Sequence, residues 1–124
     1  MFFPASKVNY GETDPDKMCG EGLIEVLEHA PNSPNLRAAY VKFVNGAHTK
    51  WHYHTGEQML LATQGTGFVE FQGLPDIRLQ QGDRVFIPAG VWHRHGAAGE
   101  KLIHLAVTTG ETIWDKKDSC DKQA

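Results

Sequence analysis

The sequence predicts an all-β chain folded as a single sandwich or barrel. Three observations carry that expectation. From residue 36 onward, short apolar segments recur about every ten residues, the spacing of short strands joined by turns. The 124 residues include 13 Gly and 6 Pro, a high density of turn formers. No stretch after residue 30 keeps a helical period long enough to form a substantial helix. The length fits one ordinary domain and leaves no room for two.

Residues 1–35 read as an N-terminal arm with room for edge strands, polar and turn-rich around Tyr10-Gly11-Glu12-Thr13-Asp14-Pro15-Asp16. Gly22 to His29 fits either a strand or a single helical turn. Pro31-Asn32-Ser33-Pro34-Asn35 is a loop, because its prolines and asparagines do not fit inside a strand ladder. Residues 36–110 form the barrel core. Its expected strands are Leu36–Val44, Thr49–His54, Gln58–Thr63, Gly67–Phe71, Ile77–Leu79, Arg84–Ile87, Val91–His95 and Lys101–Thr109. Residues 111–124 are a C-terminal tail, polar apart from Ile113 and Trp114.

Two of these segments are apolar on both faces. Met59 and Leu61 oppose Leu60 and Ala62, while Ile103, Leu105 and Val107 oppose Leu102, His104 and Ala106. A strand buried on both sides needs cover on both, so the outer face predicts cover by a second sheet, by the N-terminal arm or by a partner subunit in a homodimer.

Charge and composition exclude several functions. A net charge of −3 offers no basic footprint for nucleic acid or an anionic membrane. No apolar run approaches the roughly 20 residues of a membrane span. Met1-Phe2-Phe3-Pro4 lacks the basic and apolar regions of a secretory signal, so the expected compartment is the cytoplasm. Cys19 and Cys120 are accordingly expected as reduced thiols, without a nucleophilic role.

Histidine is the informative residue. Six of the seven lie between His48 and His104. His52-Tyr53-His54 and His93-Arg94-His95 are each His-x-His, and on a strand residues two apart share a face. Gln58 shares the parity of the first pair, whereas Glu57 points the other way. Two such strands facing one interior can supply three or four imidazoles to a divalent metal. His48, in a polar stretch before the first pair, and His29, beside the proline-rich loop, read as ordinary hydrogen-bonded histidines and not as ligands.

The spacing around these residues is regular. Gly46-x5-His52-x-His54-x3-Gln58-x6-Gly65 forms one block and Gly82-x5-Pro88-x-Gly90-x2-His93 the other, with sixteen residues between them. This double motif resembles the two signatures of the cupin superfamily, over roughly residues 40–110. The resemblance implies a jelly-roll β-barrel with a metal in its mouth. It implies His52, His54, Gln58 and His93 as the metal ligands. Two positions depart from the usual pattern: Gln58 stands where Glu is common, and Ala97 where Asn is common.

The departure at Gln58 narrows the resemblance. His-x-His-x3-Gln, then Trp92-His93-Arg94-His95-Gly96-Ala97-Ala98, then His104-Leu105-Ala106-Val107, is similar to small bacterial cupins that act as manganese-dependent hydroxynitrile lyases. Thr112-Ile113-Trp114 also looks like that branch's ending. The resemblance implies Mn as the metal, with Fe, Ni or Zn as alternatives, and a small-molecule substrate. It places His95 and His104 in the pocket as candidate catalytic residues, since imidazole exchanges protons near neutral pH. Phe43, Leu60 and Trp92 are candidate pocket walls.

Four neutral ligands leave a divalent ion its full charge, which favours binding an alkoxide or acidifying a coordinated hydroxyl. That chemistry suits cleavage of a 2-hydroxynitrile. A cupin dioxygenase and a non-enzymatic metal or small-molecule binder are the alternatives.

Overall fold

A computed structural model describes residues 2–27 and 35–120. His29 and most of the expected 31–35 loop lie outside these residues. The regular structure of the described chain is strand throughout, apart from one 3-10 turn at Ala5–Lys7. The arm contributes β1 (Gly11–Glu12), β2 (Met18–Cys19) and β3 (Gly22–Leu27). The core supplies β4 (Arg37–Val44), β5 (His48–Thr49), β6 (His52–His54) and β7 (Gln58–Phe71). It continues through β8 (Ile77–Leu79), β9 (Arg84–Ile87) and β10 (His93–Thr108), and the tail adds β11 (Thr112–Trp114). The ambiguous 22–29 segment is therefore strand over its described part, in antiparallel register with β4.

Among the described residues, all eleven strands join one curled sheet. β10 is its hub, pairing antiparallel with β4, β5, β6 and β7. Two expected boundaries dissolve. Gln58–Thr63 and Gly67–Phe71 fuse into β7, and Val91–His95 and Lys101–Thr109 fuse into most of β10. A strand of this length must bend to wrap a barrel, and register shifts between Ala97 and Leu102 supply the bend in β10. Gly65 makes the matching turn in β7: its φ is +80°, and a Cβ there would collide with the Lys101 carbonyl. Conversely, the expected Thr49–His54 strand breaks in two at Lys50-Trp51.

Side chains alternate as the pleat requires. Leu60 and Ala62 of β7 and Leu102, His104 and Ala106 of β10 point inward and are buried, while Met59, Leu61, Ile103, Leu105 and Val107 are half-buried on the outside. Leu60, Leu79, Ile87, Leu102 and Val69 are fully buried in the apolar core, and Phe43 joins that core to the histidines. Each such side chain contributes about 1.5–3 kcal/mol by burial.

The cysteines overturn one expectation. Cys19 and Cys120 are joined as a disulfide, their Cα atoms 5.5 Å apart. They lie 101 positions apart in sequence. β2 pairs with β5, and β11 returns along β6, so Cys19 and Cys120 meet beside the same pair of short strands.

Candidate metal centre

The strand register assembles the site. His93 of β10 is the direct cross-strand partner of His52 of β6. β11 lies along the other edge of β6, opposing Thr112 to His54 and Trp114 to His52. Cross-strand partners put their side chains on one face. Residues far apart in sequence thus become neighbours through two ladders.

The rings of His52, His54 and His93 converge. Ring centroids are 4.3 Å apart for His52 and His93, 5.1 Å for His52 and His54, and 5.2 Å for His54 and His93. All three side chains are buried. His52 Nδ1 donates to the Lys50 carbonyl at 2.7 Å and His93 Nδ1 to the Val91 carbonyl at 2.8 Å. His54 Nδ1 meets Thr112 Oγ1 at 2.9 Å. In a neutral imidazole, a proton held on Nδ1 leaves the Nε2 lone pair free, which is how metal-binding histidines are oriented.

Gln58 completes the cluster. Its Nε2 donates to Thr108 Oγ1 at 2.9 Å, which turns Oε1 toward His93 Nε2 at 3.3 Å. With the His93 proton on Nδ1, both of these atoms are acceptors and no proton lies between them. Burial lowers the His93 pKa and keeps the ring neutral. Two lone pairs facing each other across a buried gap fit a shared cation. His54 Nε2 is also buried and has no hydrogen-bond partner among the described residues.

His95 and His104 form a second pair, with His104 Nε2 and His95 Nδ1 3.0 Å apart. Phe43 packs on both rings, at 6.0 and 5.2 Å between centroids. His95 Nε2 and His104 Nδ1 are buried without a partner among the described residues. The donor atoms of His52, His93 and His95 lie within 4.8 Å of one another, so these three histidines could hold a metal ion. Among the described residues, the other such grouping is Cys19, Asp118 and Cys120, whose sulfurs are already bonded to each other.

The surroundings keep every one of these rings uncharged. Burial holds His52 and His95 well below the ordinary histidine range, with His93 and His104 respectively as the next cause. Burial, aided by His93, lowers His54 to about 4, and burial lowers His104 to about 4. Neutral imidazoles are the form that ligates.

A cavity of about 480 Å³ opens onto the cluster. His52, His54, Gln58, His95 and His104 line it, together with an apolar wall that includes Met18, Val41, Phe43 and Ala106. This volume suits a small molecule. Of the three expected walls, Phe43 faces the cavity. Leu60 lies in the packed core, and Trp92 stacks edge-on against Tyr53 at 4.8 Å. His48 stays outside, its Nδ1 on the Thr49 carbonyl and its ring against Phe68.

Several contributors escaped sequence reasoning. Trp114 stacks on His52 with centroids 4.4 Å apart, and Thr112 supports His54. Thr108 orients Gln58, and Thr49 Oγ1 accepts from the His95 backbone at 3.2 Å. Arg37 donates to the Gly110 carbonyl and to Thr112 Oγ1. The Thr112-Ile113-Trp114 triplet was the one available signal, and it carried no role without the β6–β11 ladder.

A curled antiparallel sheet with imidazoles and one amide gathered at its mouth defines a histidine-rich barrel whose site could hold a metal ion. Residues 39–109 match the cupin domain model, and the chain belongs to the cupin family. It is 35% identical over 98 residues to the (R)-mandelonitrile lyase of Granulicella tundricola, covering 78% of this chain and 75% of that protein. It is 31% identical over 68 residues to the acireductone dioxygenase of Drosophila melanogaster, covering 51% of this chain and 37% of that one. Among solved structures, a cupin-like protein from Thermotoga maritima superposes with a TM-score of 0.80 at 36% identity, covering 84% of this chain and 83% of that chain. Among the described residues, no helix is long and apolar enough to cross a membrane.

Proposed function

We propose that this cupin is a metal-dependent lyase of the hydroxynitrile type, acting on a small 2-hydroxynitrile or related carbonyl adduct. The observation that carries the reading is the facing of His93 Nε2 and Gln58 Oε1, two acceptors that a cation would reconcile. His52, His54, Gln58 and His93 are the proposed ligands, and manganese the proposed metal. Bound there, a divalent ion supplies Lewis acidity toward a substrate hydroxyl, undiminished by any anionic ligand. The likeness to a mandelonitrile lyase supports the substrate class.

The chain's own residues supply the proton chemistry. His95 Nε2, bare and facing the cluster, takes the hydroxyl proton when its Nδ1–H points at His104 Nε2. The carbon–cyano bond then breaks with its electron pair leaving on cyanide. The proton passes to cyanide, giving the carbonyl compound and HCN. In that tautomer His104 Nε2 accepts from His95, and Phe43 packs on both rings.

The test is elemental analysis of protein purified without chelators or metal-affinity tags, then an assay of cyanide release from mandelonitrile. The expected result is about one equivalent of manganese per chain and cyanide release lost on chelation. Metal-free active protein, or fully loaded protein that releases no cyanide, would overturn the assignment. An oxygenase is the second reading, favoured by the acireductone dioxygenase relative. It predicts bound iron and oxygen uptake on a diketone.

The reading includes a homodimer formed through the outer face of β7 and β10. Met59, Leu61, Leu105 and Val107 lie on that face, and Phe86 of the adjoining β9 is 78% exposed. Sedimentation should give twice the chain mass, and Phe86→Lys should shift it toward monomer. A cytoplasmic location is likewise retained as part of the proposal.

A further inference from the structure

We propose that the Cys19–Cys120 disulfide is a redox-responsive clasp that holds the C-terminal segment, and with it Trp114, against the histidine cluster. The inference rests on the metal reading only for its effect on metal affinity. The clasp itself stands on the covalent bond and the contacts around it.

The segment after β11 lies along Trp51, just before His52. The Asp115 backbone N–H donates to the Trp51 carbonyl at 2.9 Å, and Asp118 accepts from the Trp51 N–H at 2.9 Å. The Cys120 N–H donates to the same Asp118 carboxylate at 3.1 Å. The disulfide then ties this segment to β2, whose Met18 is buried and lines the cavity. One covalent bond therefore joins two walls of the same cavity. β11 itself is only three residues long and pairs with β6 alone. A ladder that short is weak by itself; its N-terminal side is held by Arg37 and by the paired Thr55 and Glu111, so the Trp114 end is the part whose persistence depends on how firmly residues 115–120 are anchored.

The two sulfurs are unequal. Cys19 is 6% exposed, whereas Cys120 is partly open. A dithiol reductant would attack Cys120 Sγ, expelling Cys19 as a thiolate that takes up a proton. The reductant's second thiolate then displaces Cys120. Two electrons and two protons pass to the protein, and the reductant leaves as a disulfide. In the cytoplasm, the proposed location, disulfides are characteristically transient or redox-sensing rather than permanent staples. Opening the clasp would free Trp114 from the His52 ring.

The experiment compares wild-type protein after oxidation by glutathione disulfide and after reduction by a phosphine, with thiols counted in denaturant. Oxidised protein should show no free thiols and reduced protein two. Reduction should weaken manganese binding, read by competition with a chromogenic chelator, by about tenfold, the size of effect expected for lost outer-shell support. In metal-free protein, hydrogen exchange at the Trp114 end of β11 should quicken by roughly tenfold or more on reduction, a local share of what a disulfide contributes. The double variant Cys19→Ser, Cys120→Ser should match reduced wild type and ignore the phosphine. Two free thiols after glutathione disulfide treatment would overturn the clasp. So would reduction that leaves both exchange and affinity unchanged. Should the double variant fail to fold, reduced wild type still decides the matter. Protein that binds no manganese in either state would sink the metal reading alone, because exchange at β11 tests the clasp separately.

Discussion

Thr112 Oγ1 sits 2.9 Å from His54 Nδ1, on a strand that the β6–β11 ladder places directly opposite that histidine. Arg37 donates to the same hydroxyl. A residue from the tail therefore holds the orientation of a ring in the first motif. Removing it should be felt in metal affinity before stability. Thr112→Val is expected to weaken manganese binding by about tenfold while thermal unfolding stays nearly unchanged. Unaltered affinity, measured by chelator competition, would mean that His54 needs no partner at Nδ1.

His54 and His95 separate two ligand sets. The proposed set contains His54 and not His95, whereas the three histidines whose donor atoms all lie within 4.8 Å of one another are His52, His93 and His95. His54→Ala should therefore lose its metal on desalting yet keep the barrel fold, since the apolar core lies elsewhere. His95→Ala should keep the metal and lose activity by about 10²- to 10⁴-fold, the span of a general base. Metal lost from the His95 variant and kept by the His54 variant would reverse the assignment.

Gln58 tests the charge argument. Gln58→Glu keeps the shape and adds a negative ligand, so metal should be retained. Cyanide release should fall by roughly tenfold, because the ion's Lewis acidity is partly neutralised. An undiminished rate would remove the reason offered for an amide at this position.

Acid should destabilise chelator-treated protein. Burial holds His104 neutral in the fold down to about pH 4, and its unfolded value is near 6.5. Between those limits the unfolded chain binds more protons than the folded one. The His104 contribution is thus full above about pH 6.5, falls as the pH drops through that window, and is lost below about 4. His104 alone corresponds to about 3 kcal/mol across the window. His52, His54 and His95 shift in the same direction and add to the loss. Urea midpoints at pH 4.5 and 7.5 check this, and equal midpoints would show that the rings are not desolvated as packed.

Much of the molecule was legible before it was folded. Period 2 in 58–63 and 101–108 sorts the side chains into two opposite faces, because successive side chains on a strand point to opposite sides, but both faces are apolar there and only closure of the sheet decides which one turns inward. The same rule puts His52 with His54 and His93 with His95 on one face each. The glycine and proline spacing carried the family resemblance, since those residues answer to local backbone geometry. What local rules do not contain is register between distant strands. The opposition of His93 to His52, of Thr112 to His54 and of Trp114 to His52 exists only once β10 and β11 have docked on the two edges of β6. The bond between Cys19 and Cys120 has the same origin. Two polar, turn-rich ends carry no signal that they meet, and only closure of the sheet brings their sulfurs within bonding distance.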